Sequence, residues 1–107
     1  MMMDDKCIEL INQEKKSETR RIKRNNRRPA VPGHTHLIKK DRTKNVYGKI
    51  LITDVYVENN IYEISEQSAR NEGFANKDEF IKYWLNVNSD YNNQEIWVVK
   101  FIVLDSQ

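Results

Sequence analysis

Residues 94–104 constrain the fold of this 107-residue chain more than any other stretch. They read as one strand, with Trp97, Val99, Phe101 and Val103 on one face and Ile96, Val98, Ile102 and Leu104 on the other, broken only by Lys100. Successive side chains of a strand point to opposite faces, so this segment needs apolar cover on both sides. A strand buried on both faces belongs in the middle of a sheet or barrel.

Strand partners are legible upstream. Residues 47–57 are rich in β-branched and aromatic side chains, with Ile50 and Ile52 on a common face. Residues 34–39 alternate around Leu37, and residues 19–22 form a short strand after a basic run. Asn25, Asn26, Pro29, Pro32 and Gly33 make residues 24–33 a loop. Residues 40–45 read as a charged turn, Asn59-Asn60 as a turn and residues 86–93 as a polar loop.

Three short helices complete the pattern. Residues 4–14 carry an apolar stripe of Cys7, Ile8, Leu10 and Ile11, with Asp4 or Asp5 as N-terminal cap. Ser65 caps a second helix reaching Glu72, where Gly73 suits the left-handed residue that ends a helix. Asn76 followed by Glu79 opens a third helix through Phe80, Tyr83 and Trp84. The order predicts an α+β fold, a small and partly closed barrel with helices at one side. A chain of this length builds one core, so residues 1–107 are expected to form a single domain.

Apolar runs stay short of the ~18 residues that a membrane helix requires. Asp4, Asp5 and Glu9 interrupt the place where a secretory signal carries its apolar stretch. With Cys7 as the lone cysteine there is no internal disulfide framework. Together these features lead to the expectation of a cytoplasmic protein without a membrane partner.

The formal net charge of +2 conceals a strong segregation. Residues 1–14 carry a net −3 and residues 45–107 a net −5. Residues 15–44 hold twelve Lys or Arg against Glu18 and Asp41, a net of +10. One basic face on an acidic body attracts polyanions locally, which points to RNA, single-stranded nucleic acid or a nucleotide fragment as partner. Arg20, Arg21, Lys23, Arg24, Arg27, Arg28, Lys39 and Lys40 are the expected nucleic-acid-binding residues.

Several chemistries lack their residues. Gly33, Gly48 and Gly73 are too widely spaced for a phosphate-cradling loop, and neither a Gly-x-Ser-x-Gly elbow nor a His-Glu-x-x-His helix occurs. His34 and His36 share a strand face, but two ligands do not make a metal site. No metal or other cofactor is expected. Trp84, Trp97, Tyr47, Tyr56 and Phe101 could stack bases, although the spacing of Trp97 and Phe101 assigns those two to the core.

The segment Lys16-Ser17-Glu18-Thr19-Arg20-Arg21 resembles the signature of the ASCH family of small PUA-like β-barrels. There a lysine at the end of the first helix is followed by Glu or Thr three residues later and Arg five later, the pattern of Lys16, Thr19 and Arg21. Pro32-Gly33, then Glu72-Gly73-Phe74, Asp78-Glu79-Phe80 with Trp84, and Trp97-Val98-Val99-Lys100-Phe101 resemble later family blocks in the same order. Lys16, Thr19 and Glu72 are similar in type and layout to the set used by the branch that deacetylates N4-acetylcytidine. The resemblance implies a PUA-like mixed barrel and a catalytic set of Lys16, Thr19 and Glu72.

Amide hydrolysis needs a nucleophile, a base, an oxyanion donor and a proton for the leaving amine. On this resemblance Thr19 is the nucleophile, Lys16 its base, Glu72 the proton donor and Arg21 a support for oxyanion or phosphate. A lysine acts as a base only when its ordinary pKa of ~10.4 is pushed down, as burial and like-charged neighbours do. Thr19 and Arg21 share a strand face, whereas Lys16, three residues before Thr19, must come from the helix end or the turn ahead of the strand. A non-catalytic RNA-binding module, or an accessory domain in RNA processing, stands as the alternative.

Overall fold

The computed structural model describes residues 1–40 and 45–106. The charged turn expected at 40–45 falls mostly outside them. Helix α1 (Asp5–Asn12) is followed by β1 (Glu18–Ile22), β2 (Thr35–Ile38) and β3 (Gly48–Glu58). A 3-10 turn (Ile61–Glu63), α2 (Glu66–Asn71), α3 (Lys77–Val87) and β4 (Ile96–Ser106) complete the order.

The four strands form one antiparallel sheet in the order β1-β4-β3-β2, curled into a half-barrel beside the helices. The apolar β4 therefore has a strand on each side, as its composition demands. The β3–β4 pairing shifts register between Lys49 and Ile50 and between Ile52 and Asp54, as an extra residue in one strand makes it do. The chain start joins the sheet margin: Met2 bridges to Lys39, and Met3 N–H donates to the Lys39 carbonyl at 2.7 Å.

Two apolar clusters sit against the sheet. One gathers Ile8 and Ile11 of α1 with Ile38, Ile50, Ile52, Val99 and Phe101. The other gathers Phe80 and Trp84 of α3 with Ala69, Phe74, Ile22 and Ile96. Residues Ile96–Val99 are thus buried on both faces. The expectation of two-sided burial along the whole strand needs correction beyond Lys100, because Ile102 is 54% and Leu104 51% exposed. The pairing with β1 ends at Glu18 opposite Lys100, and the helical cluster on that face reaches β4 only at Ile96.

Side-chain caps start the helices, and left-handed residues end the first two. Asp4 caps α1, its carboxylate accepting from Cys7 N–H, while Ser65 and Asn76 cap α2 and α3 in the same manner. At the far end of α1, Lys15 N–H donates to the Leu10 carbonyl and Glu14 N–H to that of Ile11. At the far end of α2, Phe74 N–H donates to Ala69 and Gly73 N–H to Arg70. Both helices therefore close with the paired bonds of a Schellman turn, which needs one left-handed residue. Gly73 supplies it at φ +101°, and Glu14 supplies it at φ +60° without a glycine's freedom. A Cβ on Gly73 would lie 2.8 Å from Leu10 Cδ1, so glycine also allows the two helix ends to meet.

Candidate functional site

These two turns deliver the site's central pair. Lys16 lies two residues beyond the left-handed Glu14, and Glu72 is the C-cap of α2 immediately before Gly73. Ser17 N–H donates to the Asn71 carbonyl at 2.7 Å, tying one turn to the other. Lys16 Nζ then donates to Glu72 Oε1 at 2.5 Å, with both side chains 2% exposed. The residues are 56 apart in sequence and meet only through the fold.

Thr19 follows on β1, buried and facing the same cleft as Lys16 and Glu72. Its hydroxyl makes no hydrogen bond within the described residues. The cleft has a volume of about 600 Å³. Phe80, Tyr83 and Trp84 of α3 supply an aromatic wall, and Met2 and Met3 line another part. Lys16, Thr19 and Glu72, the expected trio, thus line one cleft, with Lys16 in the turn before the strand rather than in the helix end.

Sequence places Arg20 among the surface cations, and the fold takes it inside. Its side chain is fully buried. Nη1 donates to Glu18 Oε1 and Glu72 Oε2, each at 3.0 Å, and Nε to Glu58 Oε1 at 2.9 Å. Despite burial, which works against the charge, the Glu72 and Glu58 carboxylates hold the guanidinium protonated to well above its ordinary value. Three partners escaped sequence reading: Glu58, 38 residues away with no local signal, and two others. Glu18, 1% exposed, shares a strand face with Arg20, and Asn71 donates from Nδ2 to Glu18 Oε2 at 2.6 Å. Their positions, two residues before Arg20 and one before Glu72, were the available signals. A buried network of this kind gains stability only when each charge keeps its partner.

The mouth of the cleft holds a smaller polar group. The Tyr83 hydroxyl donates to Asp4 Oδ2, and Cys7 Sγ lies 3.8 Å from that hydroxyl. Burial pushes the Cys7 thiol up. For Asp4, partial burial pushes upward but the Tyr83 and Cys7 hydrogen bonds outweigh it, leaving the carboxyl below its ordinary value. Burial and the Asp4 bond together raise the Tyr83 phenol.

The remaining basic residues divide by position. Arg21, half-buried, lines the cleft and donates from Nη2 to the Met2 carbonyl at 2.6 Å. Arg24, at the cleft edge, bonds Asp90 at 3.0 Å in an exposed pair. Lys23 bonds Asn26 and Glu95 and lies 5.6 Å from the Trp97 ring centre. Arg27 and Arg28 are exposed on the loop, Lys39 is half-buried at the sheet margin, and Lys40 pairs with Asp5 at 3.1 Å. His34 is exposed and His36 half-buried, and among the described residues no group of three metal-ligating side chains occurs. No described helix is long and apolar enough to cross a membrane.

No family model matches the chain, and no curated protein matches it. Solved structures do. An ASCH domain from Lactobacillus crispatus JV V101 superposes with a TM-score of 0.70 at 17% identity, over 94% of this chain and 72% of that one. Protein EF3133 from Enterococcus faecalis V583, assigned to family DUF984, gives 0.69 at 19% identity over 98% and 75% of the two chains. The hypothetical protein PH0355 gives 0.72 at 17% identity over 97% and 96%. The chain therefore has the ASCH-type, PUA-like α+β fold.

Proposed function

We propose that this protein binds a modified pyrimidine nucleoside, alone or within RNA, and hydrolyses the amide of N4-acetylcytidine in the cytoplasm. The observation that carries this reading is the buried Lys16–Glu72 hydrogen bond with Thr19 lining the same cleft. The aromatic wall of Phe80, Tyr83 and Trp84 suits a flat base.

In this reading, substrate entering the cleft expels water, and separated charges lose solvation. A proton passes from Lys16 to Glu72 along their hydrogen bond, leaving a neutral amine and a neutral acid. Thr19 Oγ1 attacks the acetyl carbon while its proton passes to Lys16 Nζ. Arg20, whose buried Nη2 has no partner among the described residues, is the donor assigned to the oxyanion. The C–N bond breaks as Glu72 gives its proton to the departing amine of cytidine. With the amine gone, Lys16 and Glu72 have regained their starting charges; water then cleaves the acetyl-threonine ester, its hydroxyl joining the acetyl group and its other proton restoring Thr19 Oγ1, and acetic acid leaves.

Incubation with N4-acetylcytidine should yield equimolar cytidine and acetate. A wild-type protein that leaves the nucleoside intact defeats the catalytic reading. Arg24 at the cleft and the exposed Arg27 and Arg28 of the loop that follows β1 favour a second reading, a non-catalytic RNA-binding module or RNA-processing accessory domain. That reading expects affinity for single-stranded RNA to fall steeply with salt, and salt-indifferent binding contradicts it.

A further inference from the structure

Among the described residues five cations line the cleft, and four of them have carboxylate partners. Lys16 pairs with Glu72, Arg20 with Glu18, Glu58 and Glu72, Arg24 with Asp90, and Lys40 with Asp5. Arg21 is the fifth, and among the described residues it has no carboxylate within salt-bridge distance. Its Nη2 is held by the Met2 carbonyl, and its Nε is buried with no partner among the described residues. The two described acids that line the cleft are committed elsewhere. Asp4 accepts from Tyr83 and Cys7, and Glu72 from Lys16 and Arg20. Burial lowers the Arg21 guanidinium from its ordinary value, the direction expected where a charge lacks a close counterion.

We propose that Arg21 is a phosphate subsite, so that the cleft takes a phosphorylated nucleoside in preference to the free one. This subsite rests on the base-binding reading and adds the substrate class. An arginine fork matches phosphate geometry, and the Met2 carbonyl pins one arm of the fork before ligand arrives, which lowers the cost of ordering it. Thr19 and Arg21 lie two residues apart on one strand face, roughly 7 Å. The longer arginine side chain extends that spacing toward the separation of a nucleotide's base from its phosphate. A 5′-monophosphate and a phosphodiester within RNA present the same group.

Titration calorimetry on a Thr19→Ala background, which consumes no ligand and serves as wild type at Arg21, tests the proposal with four ligands: N4-acetylcytidine, its 5′-monophosphate, a short RNA carrying one N4-acetylcytidine, and ribose 5-phosphate. The monophosphate should bind on the order of tenfold more tightly than the nucleoside, the size of one charged hydrogen-bonding contact. Arg21→Gln should bring that ratio near one and abolish ribose 5-phosphate binding. Equal affinity in the wild type, or a preference that survives Arg21→Gln, overturns the subsite and leaves base recognition standing. Conversely, Arg21-dependent binding of ribose 5-phosphate with no response to the acetylcytidine base overturns the base reading alone. If Arg21→Gln fails to fold, salt dependence of the wild-type preference decides. A preference that shrinks as salt rises supports the subsite, and a salt-indifferent one overturns it. Tighter binding of the RNA than of the monophosphate assigns the phosphate to a diester, and the reverse order to a monoester.

Discussion

The same short basic stretch of sequence supplies two electrostatic environments with opposite rules. Lys16 and Arg20 are buried and tied to Glu18, Glu58 and Glu72, whereas Arg24, Arg27 and Arg28 stand in solvent. In the interior the cost of removing charge from water makes each partner indispensable. At the rim, screening makes each cation nearly dispensable and gives the group a collective, salt-sensitive pull. A basic residue therefore cannot be assigned to recognition or to architecture from its charge alone. The carboxylates within reach decide.

Removing one interior partner tests this contrast most severely. Glu72→Gln leaves Lys16 without its carboxylate and weakens the hold on Arg20. A loss of about 3–5 kcal/mol is expected in urea unfolding. A loss below about 1 kcal/mol would mean that the interior network behaves like a surface one. Gly73→Ala attacks the turn that presents Glu72, by forcing alanine to φ +101° and its Cβ against Leu10. About 1–3 kcal/mol should be lost. The mirror experiment is Glu14→Gly, which relieves the left-handed glutamate at the turn leading to Lys16. It should stabilise by about 1 kcal/mol, and a destabilised variant would show that Glu14 has a role beyond the turn.

The Asp4 cap gives a pH-dependent check of intermediate size. Its carboxyl is held below the ordinary 3.8, net of burial, by Tyr83 and Cys7. The charged form is therefore favoured by folding, and its contribution is complete above that ordinary value. It is lost as pH falls through the lower folded value. Asp4→Ala should cost about 1 kcal/mol at neutral pH, a deficit that vanishes in strongly acidic solution. Smallest of all, Arg24→Ala should change stability by no more than about 0.5 kcal/mol. It should nevertheless weaken RNA binding and flatten its salt dependence. A large stability loss there would erase the distinction between rim and interior.

Much of the scaffold was legible because it rests on local chemistry. Asp4, Ser65 and Asn76 cap the helices they were expected to cap, and Gly73 takes the left-handed turn. Lys16, Thr19 and Glu72 line one cleft, a grouping that only the family resemblance had implied, since Glu72 lies 56 residues from Lys16. The burial of Arg20 was hidden because its partners Glu58 and Glu72 lie 38 and 52 residues away, a separation that no local pattern encodes. The exposure of Ile102 and Leu104 was hidden for a related reason. Alternation shows that both strand faces are apolar, but the extent of cover is set by where β1 stops. The part of the rim expected at residues 41–44 lies outside the described residues.

The most direct test compares N4-acetylcytidine turnover by wild type, Thr19→Ser and Thr19→Ala, with folding followed on the same samples. The wild type should release cytidine and Thr19→Ser, which keeps a hydroxyl, should retain turnover. Thr19→Ala, folded, should fall by on the order of 10²-fold or more. Equal turnover by wild type and Thr19→Ala would contradict the assignment of Thr19 as nucleophile and with it the catalytic account of the cleft.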